Sequence, residues 1–379
     1  MDGMYIGDYR AGNGGRNFDG YIDEMAVFSH EPTAEVIAGL YDGTYTPATA
    51  PADAVSASGI NIVDPMWTLT NTIAFDNPSG LAVSPLDGKL YAGRHNSLAS
   101  DGGVYRIESD GSATLIGAGD RPAAIAIDPS DGDIFFSEDN LGNIHRVAAD
   151  GSSVTTWVSD FNDDGLDDDP VGVAIVPDTF DGGTGSLVQP GDALTVDRGS
   201  GGFEQILLWS PDSSENEQVL HEDTDVADGV GSILKDPLDI VVSDSQIFVA
   251  DEDANKIYTV DPTDGSLTEL ITSETIGGPL ALAINPTSGD LVVLSDTSSS
   301  ASKVLSIDLA TGNVSTLVDS IVDVPGWANL AFSADGTKLY IGEAASDTIY
   351  ELTAVPEPGT LAILLSAALA SMFLLRRRP

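Results

Sequence analysis

The densest chemistry in the chain is a ten-residue acidic stretch, Asp160-Phe161-Asn162-Asp163-Asp164-Gly165-Leu166-Asp167-Asp168-Asp169. Oxygen ligands recur at every second position, a glycine sits where the loop must turn sharply, and a further acid follows three residues on. Hard divalent cations, Ca²⁺ above all, want this donor set, about six to eight oxygens from carboxylates, carbonyls and water. Asp160, Asn162, Asp164 and Asp168 are the candidate ligands. Val171 stands where a calcium loop carries its closing bidentate acid, so Asp169 is the substitute. The alternative is a solvated acidic loop. A weaker cluster of the same kind is Asp223, Asp225 and Asp228.

Carboxylates also recur where short apolar runs end. Glu138-Asp139, Asp197-Arg198, Asp251-Glu252, Asp296 and Glu343 each close such a run, and Arg94-His95-Asn96 closes another. His95, Asn96, Glu138, Asp139, Asp197, Asp251, Glu252, Asp296 and Glu343 are therefore the candidate ligand-binding set. Several chemistries are excluded. The chain has no cysteine, hence no disulfide, thiol nucleophile or cysteine-based metal site. It has no Gly-x-Ser-x-Gly elbow, no His-Glu-x-x-His zinc helix and no phosphate-binding glycine loop. His30, His95, His145 and His221 are scattered, and by strand topology only His95 is expected on the face that carries the carboxylate set. A His-Asn pair there could serve a lactonase or lyase, and the plain alternative is a polar turn. No catalytic residue is assigned. Trp67, Trp157, Trp209 and Trp327 read as packing residues.

These groups are positioned by a repeat. Leu81-Ala-Val-Ser-Pro85, Ile125-Ala-Ile-Asp-Pro129, Val173-Ala-Ile-Val-Pro177, Ile240-Val-Val-Ser-Asp244, Leu282-Ala-Ile-Asn-Pro286 and Leu330-Ala-Phe-Ser-Ala334 fall 44, 48, 67, 42 and 48 residues apart. Each unit contains strand-length runs of β-branched and aromatic residues separated by Asp-Gly turns, as residues 124–158 show. Four short strands per unit at this spacing are propeller blades, with one insertion in the third interval. The sixth unit stops at its third strand, and Met66 to Ile73 precedes the first unit and belongs to none. That orphan strand is expected to complete the last blade and close the ring. The repeat resembles six-bladed propellers of the NHL and gluconolactonase-like type. That resemblance implies a ring over residues 60–354 and, as one functional reading, a calcium-dependent hydrolase with its metal held in the central channel by carboxylates.

The formal charge of −45 lies mostly in residues 45–355, with 51 acidic against ten basic side chains. A field of this sign repels nucleic acid and attracts divalent cations. The flanks carry different signals. Phe18-Asp-Gly-Tyr-Ile-Asp-Glu-Met-Ala-Val-Phe28 and the helix-like Pro32 to Tyr41 resemble the closing strands and terminal helix of a LamG-like (concanavalin A-like) jelly roll. Residues 1–43 are thus expected to be the end of such a domain, with its beginning and a signal peptide missing, and residues 44–59 a linker.

At the other end, Pro356-Glu357-Pro358, an apolar run from Leu361 to Leu375 and Arg376-Arg377-Arg378 resemble the PEP-CTERM sorting signal of Gram-negative surface proteins. A helix over that run rises roughly 22 Å against a hydrocarbon core of roughly 30 Å. The resemblance implies one transmembrane helix in residues 355–379, passage through the inner membrane, cleavage by an exosortase-type protease, and delivery to the cell surface or extracellular matrix. The calcium stretch in turn resembles dockerin and thrombospondin type 3 loops.

The expectation is therefore an all-β chain: a six-bladed β-propeller, a truncated jelly-roll remnant before it and one transmembrane helix after it. Its propeller would bind a ligand or extracellular polysaccharide with Ca²⁺ as the cofactor, or else act as the hydrolase.

Overall fold

The computed structural model describes residues 60–96, 101–138, 142–159, 170–198, 204–210, 217–223, 233–271, 276–296, 302–321 and 330–355. The expected jelly-roll remnant and sorting signal lie outside the described residues. Among those described, no helix is long and apolar enough to cross a membrane.

Two strands precede the first blade, β1 (Asn61–Ile62) and β2 (Trp67–Ala74). Blade 1 is β3 (Pro78–Val83), β4 (Leu90–Arg94), β5 (Gly103–Ile107) and β6 (Ala113–Ala118). Blade 2 is β7 (Pro122–Ile127), β8 (Ile134–Glu138), β9 (Asn143–Val147) and β10 (Val154–Val158). Blade 3 is β11 (Pro170–Ile175), β12 (Ala193–Asp197), β13 (Gln205–Trp209) and β14 (Glu217–Glu222). Blade 4 is β15 (Pro237–Val242), β16 (Ile247–Asp251), β17 (Lys256–Val260) and β18 (Leu267–Ile271). Blade 5 is β19 (Gly278–Ile284), β20 (Leu291–Asp296), β21 (Ser302–Ile307) and β22 (Val314–Ile321). Blade 6 is β23 (Leu330–Phe332), β24 (Lys338–Glu343) and β25 (Thr348–Ala354), and its fourth strand is β2.

The orphan strand thus closes the ring. β2 pairs antiparallel with β25 from Trp67↔Ala354 to Ala74↔Thr348, so the two ends of the propeller share one sheet. The first strands of the blades contact one another in the order β3, β7, β11, β15, β19, β23 and back to β3. Closure of this kind leaves no open end to the array. β1 was not foreseen as part of a blade: its two residues add to the outer edge of blade 5 through Asn61↔Asp319 and Ile62↔Val318. Part of the third-interval insertion is the connection from Val176 to Asp192. It buries Phe180 and Val188 and is pinned to blade 4 by hydrogen bonds from Asp181 N to Asp244 O (2.7 Å) and Leu187 N to Pro262 O (2.7 Å).

Burial follows radius. The first two strands of a blade are covered on both faces and read as continuous apolar runs, for example Pro-Ala-Ala-Ile-Ala-Ile in β7 and Ile-Phe-Phe in β8. Outermost strands such as β6 and β10 are largely exposed, with Leu115 and Val154 open to solvent. Three of the four tryptophans pack, and Trp327 lies outside the described residues. Trp157 meets Phe135 edge-on at 4.9 Å and Trp209 at 6.1 Å, and Trp67 meets Phe332 at 6.0 Å.

Around the axis the strands come close enough to dictate residue type. A Cβ on Gly80 would stand 2.7 Å from the Ile125 nitrogen and 2.8 Å from Ala124 Cα, both backbone atoms of the neighbouring blade. Gly80→Ala is therefore expected to push blades 1 and 2 apart and to destabilise the ring by about 1–3 kcal/mol, the usual cost of overpacking. Urea unfolding measures it, and an unchanged midpoint would contradict the close approach.

Candidate functional site

In each four-stranded meander, the end of the second strand and the loop that feeds the first strand lie on the same face of the ring. The second strands end at Arg94, Glu138, Asp197, Asp251, Asp296 and Glu343. In the register, Arg94 stands opposite Pro78, Glu138 opposite Pro122, Asp197 opposite Pro170 and Asp251 opposite Pro237. A ring of one arginine and five acids therefore faces the points at which the chain turns inward. Proline begins these strands because a fixed φ and a missing N–H are tolerated at a strand's first residue.

Most of these acids are buried, and their partners explain why. Asp251 is fully buried and accepts N–H bonds from Lys235 (2.8 Å), Asp236 (3.1 Å) and Ala254 (3.0 Å). Glu138 accepts from Asp120 N (2.7 Å) and Asn143 Nδ2 (3.1 Å), and His145 Nε2 lies 2.9 Å away. Glu343 accepts from Tyr350 Oη (2.7 Å) and from the Ser346 hydroxyl. Asp223, after the last strand of blade 3, accepts Leu234 N at 2.5 Å. An irregular loop buried at a blade junction carries amides with no ladder partner, and a carboxylate is a strong acceptor for them.

Blade 1 replaces the acid by Arg94. Its guanidinium bonds Asp101 at 2.9 Å and lies over the Tyr105 and Phe75 rings at 4.4 and 5.1 Å. His95 and Asn96 sit half-buried beside it, tied by His95 N to Asn77 O (3.0 Å) and Asn96 Nδ2 to Asp101 Oδ2 (3.3 Å).

A second, more open group lies at blades 3 to 5. Glu252 and Asp296 reach the surface in part, and Arg198 Nε holds the mostly buried Asp236 at 2.7 Å. Burial first, then the charges of Asp236, Asp253 and Asp296, push the Glu252 carboxyl above its usual range against the pull of Arg198. Of the predicted set, then, Glu138, Asp197, Asp251 and Glu343 are buried, while His95, Asn96, Glu252 and Asp296 reach the surface in part. Asp139 and the calcium stretch with Asp160, Asn162, Asp164, Asp168 and Asp169 lie outside the described residues, as do Asp225 and Asp228.

Sequence reasoning missed three groups. His145 lies one strand away from Glu138 and stacks on Phe136 at 4.9 Å, a pairing set by the register Phe136↔His145. Glu204 is buried next to β13, where burial first and the Asp223, Asp251 and Asp197 charges after it raise its pKa. Asp239 is buried on the axis. It occupies the position that Gly80, Ala124, Gly172 and Ala281 hold in other blades, and an acid inside Pro-Leu-Asp-Ile-Val-Val was the signal that could have found it. Its oxygens accept Ile240 N (2.9 Å) and, across to blade 5, Leu282 N (2.7 Å).

Among the described residues, no three or more His, Asp or Glu side chains are placed to share a metal ion. The cavity between the first strands, at the end of the channel away from the acidic loops, has among the described residues one carboxylate among apolar side chains, which does not match the oxygen-rich shell of a hard cation.

The propeller has close counterparts in architecture. A gluconolactonase of Xanthomonas campestris aligns at TM-score 0.56 and 15% identity, over 79% of this chain and 98% of that one. Regucalcin of Agrobacterium tumefaciens, described as a calcium-binding protein, aligns at 0.52 and 14%, over 78% and 94%. A streptogramin B lyase aligns at 0.51 and 16%, over 76% and 98%. At these identities the likeness is one of fold: an all-β six-bladed propeller resembling gluconolactonase- and regucalcin-type proteins. No family model and no curated protein matches the sequence.

Burial pushes the Asp239 carboxyl up to about 7, opposed by its two amide bonds. Because the folded value exceeds the unfolded one, the folded state holds the extra proton. The stability associated with that proton is complete below the unfolded pKa and is lost as pH rises through the folded one. A shift of this size corresponds to as much as about 4 kcal/mol. Asp239→Ala copies the residue of blades 2 and 5. Relative to the native chain it should gain stability steadily from pH 4 to pH 8, followed by chemical denaturation, and parallel curves would contradict an ionising carboxyl on the axis.

Proposed function

We propose that the chain is an exported protein whose acidic propeller binds a hydroxyl-rich ligand, an extracellular polysaccharide, on the face that carries the loops feeding each blade. One observation supports this above others. Glu138, Asp251 and Glu343 are buried under internal donors, whereas Glu252 and Asp296 reach the surface in part, and the charges of Asp236 and Asp296 bear on Glu252. Ionised carboxylates only accept hydrogen bonds, and sugar hydroxyls are suited to donate them. His95 and Asn96, on the same face by topology, extend the proposed surface, and Asp139, outside the described residues, is proposed to join them.

The Pro356-Glu357-Pro358 triplet, the apolar run and Arg376-Arg377-Arg378 support delivery through the inner membrane to the cell surface by an exosortase-type protease. Ca²⁺ held by Asp160, Asn162, Asp164, Asp168 and Asp169 would stiffen the loop that leads into blade 3. Binding of the full chain to immobilised polysaccharides tests the reading. Glu252→Gln combined with Asp296→Asn should weaken retention about tenfold or more without lowering the melting temperature. Undiminished retention would remove these residues from the site.

The second reading, a calcium-dependent hydrolase, has the more direct support from structural likeness, because gluconolactonase and regucalcin align over 98% and 94% of their lengths. The cavity at the end of the channel away from the acidic loops offers such a metal a single carboxylate among its described residues. Lactone hydrolysis that appears with Ca²⁺ and vanishes on chelation would favour the enzyme over the binding module. If Ca²⁺ brings no turnover, that reading fails.

A further inference from the structure

The opposite end of the channel carries a site that neither reading uses. Between the six first strands lies a cavity of about 430 Å³, within the range of small-molecule sites. Its wall runs from Leu81, Ile125 and Ile240 to Pro85, Pro129 and Pro286, residues at which the first strands leave the ring on the face away from the acidic loops. Among the described residues the wall is apolar except for Asp239 and Ser333, with Phe332 its one aromatic side chain, and no lysine, arginine or histidine is on it.

Among the described residues, Asp239 is the one titratable residue on this wall. Two of its lone-pair positions are taken by Ile240 N and Leu282 N, and an ionised carboxylate has about four. A buried carboxylate with amide partners alone lacks a countercharge, and a cation that can also fill an apolar cavity would supply one. A bare metal ion does not suit the place, since one carboxylate among aliphatic side chains leaves most of its shell unfilled. The turns around the opening carry Asp244 and Asp290 together with Asp87, paired with Lys89 at 3.8 Å, and Asp131, paired with Arg146 at 3.1 Å; the chain's net charge of −45 draws cations toward the molecule as a whole.

We propose that the channel binds an organic monocation, a primary alkyl- or arylalkylammonium, with its head on the Asp239 carboxylate and its hydrocarbon body along the Leu81, Ile125 and Ile240 wall. The site is independent of the acidic-face reading and of the hydrolase reading.

Titration calorimetry of the full chain with n-hexylammonium, against n-hexanol as the uncharged homologue, tests it at pH 8. Hexylammonium should bind at least about tenfold more tightly than hexanol, and Asp239→Ala should erase that preference. The native chain provides a second reading that needs no variant. Hexylammonium affinity should fall about tenfold or more between pH 8 and pH 5 as the carboxyl takes up its proton, while hexanol affinity stays level. Equal binding of the two probes, a preference that survives in Asp239→Ala, a pH-independent affinity, or no binding of hexylammonium would each overturn the proposal.

Discussion

Everything in this propeller depends on satisfying backbone amides where six strands converge on one axis. Around the channel the strands pack so closely that Gly80 has no room for a Cβ, and each is fed by a loop that drops in from the neighbouring blade. A buried amide without an acceptor costs on the order of 1–3 kcal/mol, so the loops need acceptors in fixed places. Asp251, Glu138 and Asp223 provide them, from the end of a second strand in two blades and of a fourth strand in another. Once the loops are held, the inward turn is fixed, and with it the register of each first strand.

The same economy accounts for much of the negative charge. The tight turns of the blades are built on Asp and Asn side chains that accept the amide two residues on. Asp128 accepts Ser130 N at 2.8 Å, Asp261 accepts Thr263 N at 2.8 Å and Asp335 accepts Thr337 N at 3.0 Å. Hydrogen bonds from Ser333 and Thr337 hold the Asp335 carboxyl down at about 2. Many acidic residues here are thus turn-formers first. That narrows the search for function to carboxylates that internal donors leave partly open to solvent, and to the one that stands on the axis.

Much of the fold was legible in the sequence because its signals are local and repeated. Apolar runs with Asp-Gly turns mark blades, and an extra strand-like segment before the first unit marks ring closure. The missing pieces depend on register. Asp251 and Glu252 are adjacent in sequence, yet Asp251, the last residue of β16, is sealed under a loop and Glu252, just beyond the strand, is partly exposed. His145 reaches Glu138 only because β8 and β9 pair with Phe136 opposite His145. β1 has two residues, too few to show any period, and takes its place from the free edge of blade 5. The acidic-face residues were found as a set, but their separation into latching and half-exposed groups required the third dimension.

The most direct test of this account is native-state hydrogen exchange of the Lys235 and Asp236 amides in the native chain and in Asp251→Ala. The account predicts slow exchange in the native chain and a selective loss of protection at these two amides in the variant, with β16 and β17 amides still protected. Rapid exchange in the native chain, or unchanged protection in the variant, would contradict the claim that buried carboxylates hold the loops feeding the blades.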